Sequence, residues 1–264
     1  MLVKPEAVVG RRVAVILEFL REHEFKVVGT WPVRMGRHQV RALWGYQLNA
    51  VPIAHVRALE MLVGSGELFL VGVGHQAVDE GGSAAELLAE RKSPSVGVAG
   101  EGAGGDSLRD RLGCPTLMIN FVHAPDEPAD VLRELAVLCD ARMQRRIMAS
   151  LVAAGGWGEA RAGAAERAAA ALMTSRYAGC PAHDLDVAAS LRRMRLGERA
   201  DGGLPELARA AIELGSVPPE DALEVVAALE GATMLPRWDR VVTAAYLVDG
   251  LRTGRQPLVG PPRE

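Results

Sequence analysis

The sequence predicts an α+β fold, in which a ferredoxin-like βαββαβ sandwich over residues 1–148 is followed by an all-α helical domain over residues 149–264. Two observations support this prediction. Strand-like and helix-like segments alternate up to about Glu127, and beyond it every segment has the pattern of a helix followed by a turn. Alternation in this order indicates a split βαβ arrangement, whose helices cover one face of an antiparallel sheet.

The first domain contains four strand-like segments and several helix-like ones. The strands are predicted at MLVK (1–4), KVVGTWPV (26–33), ELFLVGVG (67–74) and PTLMINFV (115–122). Helices are predicted at GRRVAVILEFLREHEF (10–25), HQVRALWGYQL (38–48), AHVRALEMLVGSG (54–66), SAAELLAERK (83–92) and from about Glu127 to Met148. In the first of these helices, apolar residues recur at helical spacing at Val13, Ile16, Leu17 and Leu20.

The second domain is predicted to be a small helical bundle. Its helix-like segments are bounded by Gly, Pro or Asp and lie at residues 159–177, 184–197, 204–215, 218–231 and 237–254. No period among them is regular enough to indicate a repeat family. The last ten residues, RQPLVGPPRE, are expected to be a frayed tail.

Composition excludes several classes of function. The chain of 264 residues has a formal net charge of -3, which gives neither a basic surface for nucleic acid nor a polybasic strip for membranes. No run approaches the ~18 apolar residues of a membrane span, and no signal peptide is recognisable. The cysteines, Cys114, Cys139 and Cys180, lack zinc-site or disulfide spacing, so we expect reduced thiols in a cytoplasmic protein.

A glycine-rich segment, GEGAGG at Gly100–Gly105, matches the letters of the dinucleotide fingerprint G-x-G-x-x-G. That fingerprint requires a tight turn from a strand into a helix within a parallel βαβ unit. Here the glycines follow a helix and lie in a long linker, so we predict an inserted loop. The sequence also contains no P-loop motif for binding nucleotide phosphates.

The segment NFVHAPDEPADVLREL (120–135) contains the best candidate for a chemical group. The run from Thr116 to Val122 is almost wholly apolar, so a polar Asn120 within it needs a partner. Residues three apart on a straight strand face opposite sides, so Asn120 and His123 could share a site only if the strand breaks near Val122. The residues HAPDEP provide such a break.

The same residues predict a helix start, with Asp126 as N-cap and Pro128 in the first turn. The apolar stripe of that helix is Val131, Leu135 and Leu138, and Glu134 lies beside it, from where it could turn back toward the strand end. A neutral imidazole is a competent nucleophile toward a phosphoryl group when one ring nitrogen is held by a hydrogen bond. Geometry alone also permits His123 to be a solvated or capping turn residue.

This segment resembles the signature of the nucleoside diphosphate kinase family. In that signature an Asn lies three residues before the phosphorylated His, a small residue and an Asp follow it, and a Glu eleven residues on supports the imidazole. The corresponding residues here are Asn120, His123, Ala124, Asp126 and Glu134. VKPEAVVG at residues 3–10 is similar to the family's phosphate-binding segment and aligns Lys4 with its lysine. DSLRDRLG at residues 106–113 aligns Arg109 with a phosphate-contacting arginine.

The resemblance extends in order over about residues 1–140 and implies a function. ATP would phosphorylate His123, and the phosphoryl group would pass to a nucleoside diphosphate or related nucleotide, with Mg²⁺ bridging the phosphates of the bound nucleotide. Lys4 and Arg109 would neutralise charge, Asn120 would hydrogen-bond the ligand, and Glu134 would orient the histidine. A homo-oligomer is also implied. The alternative is a nucleotide-binding or scaffold protein that has the same fold without turnover.

The chain departs from the family pattern at several positions. Glu86 aligns with an arginine and Lys92 with a threonine, so we expect Arg91 or Lys92 to contact phosphate instead. The loop after Pro94 is longer by about six residues than the pattern. The position that stacks on the nucleobase aligns with His55, and a neighbouring tyrosine position falls among Trp44, Tyr46 and Gln47. Pro125 replaces a serine that supports the histidine.

Overall fold

The computed structural model of the chain describes residues 1–75, 83–92, 107–154, 158–201, 203–249 and 251, with side chains 198–201 left out. Within these ranges the chain has 14 helices and four strands, which confirms the α+β class. The glycine segment Gly100–Gly105 and the tail after residue 254 lie outside them. None of the helices in the described part is both long and apolar enough to cross a membrane.

The four strands form one antiparallel sheet. They are β1 (Leu2–Val3), β2 (Phe25–Val33), β3 (Leu68–His75) and β4 (Val122–His123), in the order β2-β3-β1-β4. The short strand β1 lies between β3 and β4, since Leu2 pairs with both Leu70 and His123. The register therefore fixes His123 at an outer strand, directly beside the first residues of the chain.

The helices, in chain order, are α1 (Pro5–Val9), α2 (Val13–Glu22), α3 (Arg37–Leu43), α4 (Gly45–Leu48), α5 (Ile53–Val63), α6 (Ala84–Lys92), α7 (Leu108–Leu112), α8 (Pro128–Leu138), α9 (Ala141–Ala153), α10 (Glu159–Arg176), α11 (Val187–Asp201), α12 (Glu206–Leu214), α13 (Ala222–Gly231) and α14 (Arg237–Asp249). The predicted stripe of α2 is largely buried, at Ile16, Leu17 and Leu20. Each such side chain contributes about 1.5–3 kcal/mol by leaving water.

The chain forms two compact units. The first comprises Met1–Met35, Gly66–Cys114 and Asn120–His183, and the second comprises Gly36–Ser65, Pro115–Ile119 and Asp184–Glu264. In the first unit, α10 packs along β2 and against α2; in the second, α14 packs on α5, α11 and α13. These units differ from the predicted domains 1–148 and 149–264, because α10 adds its small-residue surface to the sheet and α5 packs with the C-terminal helices.

The predicted strand at residues 115–122 is wrong except at its end, because only Val122 and His123 pair with β1. Two local features prevent an extended run. The hydroxyl of Thr116 accepts a hydrogen bond from the backbone N–H of Ile119 at 3.0 Å, which closes a turn. Phe121 has a φ of 65°, in the left-handed region that a strand does not allow.

The single helix predicted from Glu127 to Met148 is two helices, α8 and α9. The chain is extended at Cys139, with φ -130° and ψ 145°, and Asp140 starts the next helix as its N-cap. The Asp140 carboxylate accepts a hydrogen bond from the backbone N–H of Met143 at 2.8 Å. A favourable cap within the apolar pattern therefore divides the helix and lets α9 pack against β2 and β3.

Candidate active site

A three-residue turn presents the candidate histidine. The backbone N–H of Val122 donates to the carbonyl of Asn120 at 2.7 Å, across Phe121 with its positive φ. Asn120 therefore lies before the turn and His123 after it. The extended backbone is interrupted at Phe121, one residue before the predicted position near Val122. As predicted, Asn120 and His123 are therefore not on one straight strand.

The strained backbone of Phe121 is held by its surroundings. Its carbonyl accepts a hydrogen bond from the backbone N–H of Lys4 at 2.9 Å, and its ring is almost fully buried. The guanidinium of Arg12 lies 5.9 Å from the ring centroid. Left-handed backbone at a non-glycine residue costs about 1–3 kcal/mol and persists where packing enforces it, often at functional sites.

The imidazole of His123 contacts Glu134, as the sequence predicted. Nε2 of His123 lies 2.7 Å from Oε1 of Glu134, and the glutamate is buried on α8. A carboxylate only accepts hydrogen bonds, so Nε2 carries the proton in the neutral imidazole and donates it. In that tautomer Nδ1 bears the lone pair, and it is the ring nitrogen that can act as a nucleophile.

The electrostatic surroundings favour the neutral imidazole. Burial lowers the pKa of His123 below its ordinary value of 6.5, the hydrogen bond and charge of Glu134 oppose this, and the charge of Lys92 lowers the pKa further. Because the net shift is downward, the imidazole is neutral at pH 7. A neutral ring is the form that phosphoryl transfer to histidine requires.

Lys92, at the end of α6, ties down the segment that follows the histidine. The residue is 5% exposed, and its ammonium donates to the carbonyl of Ala124 at 2.9 Å and to Oδ1 of Asp126 at 3.1 Å. Asp126 itself is 76% exposed. Burial lowers the pKa of Lys92, the hydrogen bond to Asp126 raises it, and the charge of Arg109 lowers it.

The structure corrects the predicted N-cap of α8 and separates the two basic residues expected to contact phosphate. Asp126 is not the N-cap of α8, and its carboxylate instead pairs with Lys92. Glu127 occupies the N-cap position without a side-chain cap bond, and Pro128 begins the helix as expected. Of the two basic residues proposed as alternatives, Lys92 joins the histidine segment. Arg91 instead contacts Nδ1 of His23, 3.1 Å from its guanidinium.

Arg109 reaches the same turn from α7. Ser107 caps this helix by accepting a hydrogen bond from the backbone N–H of Asp110, and its hydroxyl donates to the Asp110 carboxylate at 2.6 Å. A guanidinium nitrogen of Arg109 donates to the carbonyl of Val122 at 3.4 Å. Burial lowers the pKa of Arg109, whose charge persists at pH 7.

A half-buried thiol, that of Cys114, lies beside this arginine. Cys114 donates from Sγ to the carbonyl of Arg109 at 3.5 Å. Burial raises the pKa of Cys114 to about 11, although the charges of Arg109 and Lys4 oppose the shift. The thiol is therefore protonated at pH 7 and is no competing nucleophile.

Lys4 contacts the same turn through its backbone, and its side chain is paired with Glu6. Its Nζ is 2.7 Å from Oε1 of Glu6, and both side chains are buried. Pro5 starts α1 directly after Lys4, which fixes the backbone that carries both charges. Sequence reasoning identified Lys4 but missed Glu6; the signal was an acidic residue in an otherwise apolar, buried pentapeptide.

Among the described residues, three basic ones contact the segment around His123, Lys4 through its backbone and Lys92 and Arg109 through their side chains; we call them the cation cluster. Such a cluster suits an anionic ligand with several oxygens, such as a phosphate chain. Within the described ranges no group of three or more His, Cys, Asp or Glu side chains is arranged to hold a metal ion. The residues predicted to stack on a nucleobase belong to the second unit, where His55 is buried in α5 and Tyr46 is 85% exposed.

No protein-family model, curated protein or solved structure matches the chain. The resemblance to nucleoside diphosphate kinases stays a prediction from sequence motifs.

Proposed function

We propose that the chain is a nucleotide phosphotransferase, which moves the terminal phosphoryl group of ATP to a nucleoside diphosphate or related nucleotide through a phosphohistidine at His123. The observation that carries this proposal is the 2.7 Å contact between Nε2 of His123 and Glu134. It holds one ring nitrogen and directs nucleophilic reactivity to Nδ1. The lowered pKa of the imidazole supports the same chemistry.

In the first half-reaction, the Nδ1 lone pair attacks the γ-phosphorus of ATP. The bond from that phosphorus to the bridging oxygen breaks, and ADP leaves with the bonding electrons. The phosphorylated ring is cationic, and the Glu134 carboxylate on Nε2 stabilises that charge. In the second half-reaction, a terminal oxygen of the acceptor diphosphate attacks phosphorus, and the electrons of the N–P bond return to Nδ1.

The cation cluster would contribute electrostatic stabilisation. Lys4, Lys92 and Arg109 would neutralise the charge that develops on the transferred group, and Asn120 would hydrogen-bond the ligand. Mg²⁺ enters as part of the nucleotide substrate, since it prefers phosphate oxygens and water as ligands. A site built from cations suits the phosphates, so the metal would be held mainly by the nucleotide.

The sheet supports the predicted ferredoxin-like sandwich. A split βαβ arrangement requires an antiparallel sheet in which β1 lies between β3 and β4 and β2 forms the far edge, and the order β2-β3-β1-β4 agrees with it. A homo-oligomer and a cytoplasmic location are further parts of the proposal, drawn from the family resemblance and the composition.

The alternative is a nucleotide-binding or scaffold protein without turnover. One observation favours it: the ammonium of Lys92 already has Asp126 and the Ala124 carbonyl as partners. If these contacts are not exchanged for a phosphate, nucleotide binding would occur without transfer. The two functions therefore differ in whether phosphate reaches the histidine.

A labelling experiment separates the two functions. The purified protein is incubated with Mg²⁺ and γ-labelled ATP, and the denatured protein is tested for label that is lost in acid and kept in alkali. We expect such label on the wild type, its transfer to added nucleoside diphosphates, and its absence from His123→Ala. His38→Ala, at an exposed histidine, is the matched control and should label normally. Nucleotide binding without label would favour the scaffold.

A further inference from the structure

The buried ion pair between Lys4 and Glu6 has a feature that packing alone does not explain. The two side chains are 3% and 0% exposed, and their charged atoms are 2.7 Å apart. The contact lacks the alignment of a hydrogen bond, and neither carboxylate oxygen of Glu6 has a hydrogen-bond partner among the described residues. Within the described part of the chain, this carboxylate is therefore held by its ion pair with Lys4.

Such a pair is expensive to bury. Removing two charges from water costs about as much as their attraction returns, and replacing a buried pair by apolar residues is often neutral or stabilising. Stability is therefore a poor reason for placing Glu6 here. A carboxylate that holds a lysine in one position is a better reason, because a lone lysine side chain has many rotamers.

The backbone places this pair next to the histidine. Leu2 pairs with His123, and Lys4 follows two residues later with an extended backbone, so strand alternation puts Lys4 on the same face as Leu2. The backbone N–H of Lys4 also bonds the Phe121 carbonyl within the turn. Lys4 is thus a diagonal neighbour of His123, on a segment with little freedom.

We propose that Glu6 is a positioning residue, whose buried carboxylate fixes the ammonium of Lys4 beside the His123 turn for contact with the transferred phosphoryl group. The inference rests on the proposed phosphotransfer and adds a residue to it. The positive charge of the ammonium attracts both the Glu6 carboxylate and the anionic phosphoryl group, so one ammonium can serve both. Glu6 acts through Lys4 and has no contact with substrate of its own.

The kinetic test compares binding with transfer. In Glu6→Gln, we expect the Kd for ADP to change less than about threefold. Loss of the negative charge of Glu6 removes a repulsion for the anionic ligand, and this offsets the loss of a fixed position for the Lys4 ammonium. The rate of phosphohistidine formation should fall at least about tenfold. A wild-type rate in Glu6→Gln would overturn the proposal, and Glu6→Asp should restore part of the lost rate.

A double-mutant cycle tests whether Glu6 acts through the lysine. In the Lys4→Met background, adding Glu6→Gln should cause no further loss of rate, since the ammonium that it positions is absent. A further loss of threefold or more would overturn the proposal. The double variant leaves no unpaired charge from this pair, so it keeps the test available if Glu6→Gln alone fails to fold.

A second readout does not depend on phosphotransfer. Buried ammonium groups that exchange slowly with water give ¹H–¹⁵N NMR signals, and the Lys4 signal is assigned by its loss in Lys4→Met. We expect Glu6→Gln to remove or broaden it and to leave the signal of buried Lys92 in place. An unchanged Lys4 signal would overturn the proposal. A wild type without phosphohistidine would overturn the proposed function, while this signal would still decide the role of Glu6.

Discussion

Nε2 of His123 lies 2.7 Å from Oε1 of Glu134, although the two residues belong to different elements and are 11 residues apart. The short strand β4 fixes the histidine against Leu2, and α8 carries the glutamate back to it. This contact determines which ring nitrogen carries a proton. It therefore decides which ring nitrogen of His123 bears the lone pair.

Replacing Glu134 by Gln should slow the formation of phosphohistidine by about a hundredfold. The amide can still occupy the space, but it gives the cationic phosphoimidazole no charge stabilisation and does not fix the tautomer. The measurement is the single-turnover rate with labelled ATP under rapid quench. Glu127→Gln, at an exposed glutamate that makes no cap bond, serves as the control, and a wild-type rate in Glu134→Gln would contradict the orienting role.

The rate of phosphohistidine formation should fall in acid only below pH 6.5. The reaction needs the neutral imidazole, and burial lowers the pKa of His123 from 6.5, so the ring stays neutral to lower pH. Since Glu134 raises that pKa and Lys92 lowers it, Glu134→Gln should move the acid limb to lower pH and Lys92→Met to higher pH. NMR titration of the His123 ring checks each direction, and a shift of both variants in one direction would refute this electrostatic account.

Lys92 and Asp126 should have opposite effects on the binding of inorganic phosphate. Lys92→Met removes a charged donor and should weaken binding by about ten- to a hundredfold. Asp126→Asn removes an exposed competitor for that ammonium and should tighten binding by about two- to fivefold. Isothermal titration at low salt measures both, with Arg91→Met as the neighbouring control. Weaker binding in Asp126→Asn would exclude competition and indicate that the carboxylate only supports the turn.

Asp140→Ala should lower the free energy of unfolding by about 1 kcal/mol, because the variant loses the side-chain cap of α9. Asp221→Ala is the matched comparison, since Asp221 occupies the N-cap position of α13 without a side-chain cap bond. Denaturant titrations followed by circular dichroism give both values. Equal losses in the two variants would mean that the Asp140 bond contributes nothing.

Sequence patterns predicted the long strands well. The predicted strands 26–33 and 67–74 differ from β2 and β3 by one residue at their ends, since runs rich in β-branched and apolar residues leave little ambiguity. The strand at 115–122 was wrong because the apolar run says nothing about the positive φ of Phe121. The sequence contains the capping residue Asp140, but the helical spacing of apolar residues continues on both sides of it and predicted one uninterrupted helix.

The candidate site was predictable where local spacing defines it. The interval between His123 and Glu134 spans one strand end and two helical turns, so sequence alone suggested their contact. The partners of Lys92 were not predictable, because Asp126 is 34 residues away in sequence. The choice between Arg91 and Lys92 depends on about 100° of rotation around α6, which only the packed helix fixes.

The central claim is that Nδ1 of His123 accepts the phosphoryl group of ATP. Its most direct test is to label the protein with γ-labelled ATP, map the label by peptide sequencing, and compare the alkaline hydrolysate with standards of the two phosphohistidine isomers. We predict label on His123 alone, as the isomer substituted at Nδ1. Absence of phosphohistidine from the folded wild type, label at another residue, or the isomer substituted at Nε2 would contradict the claim.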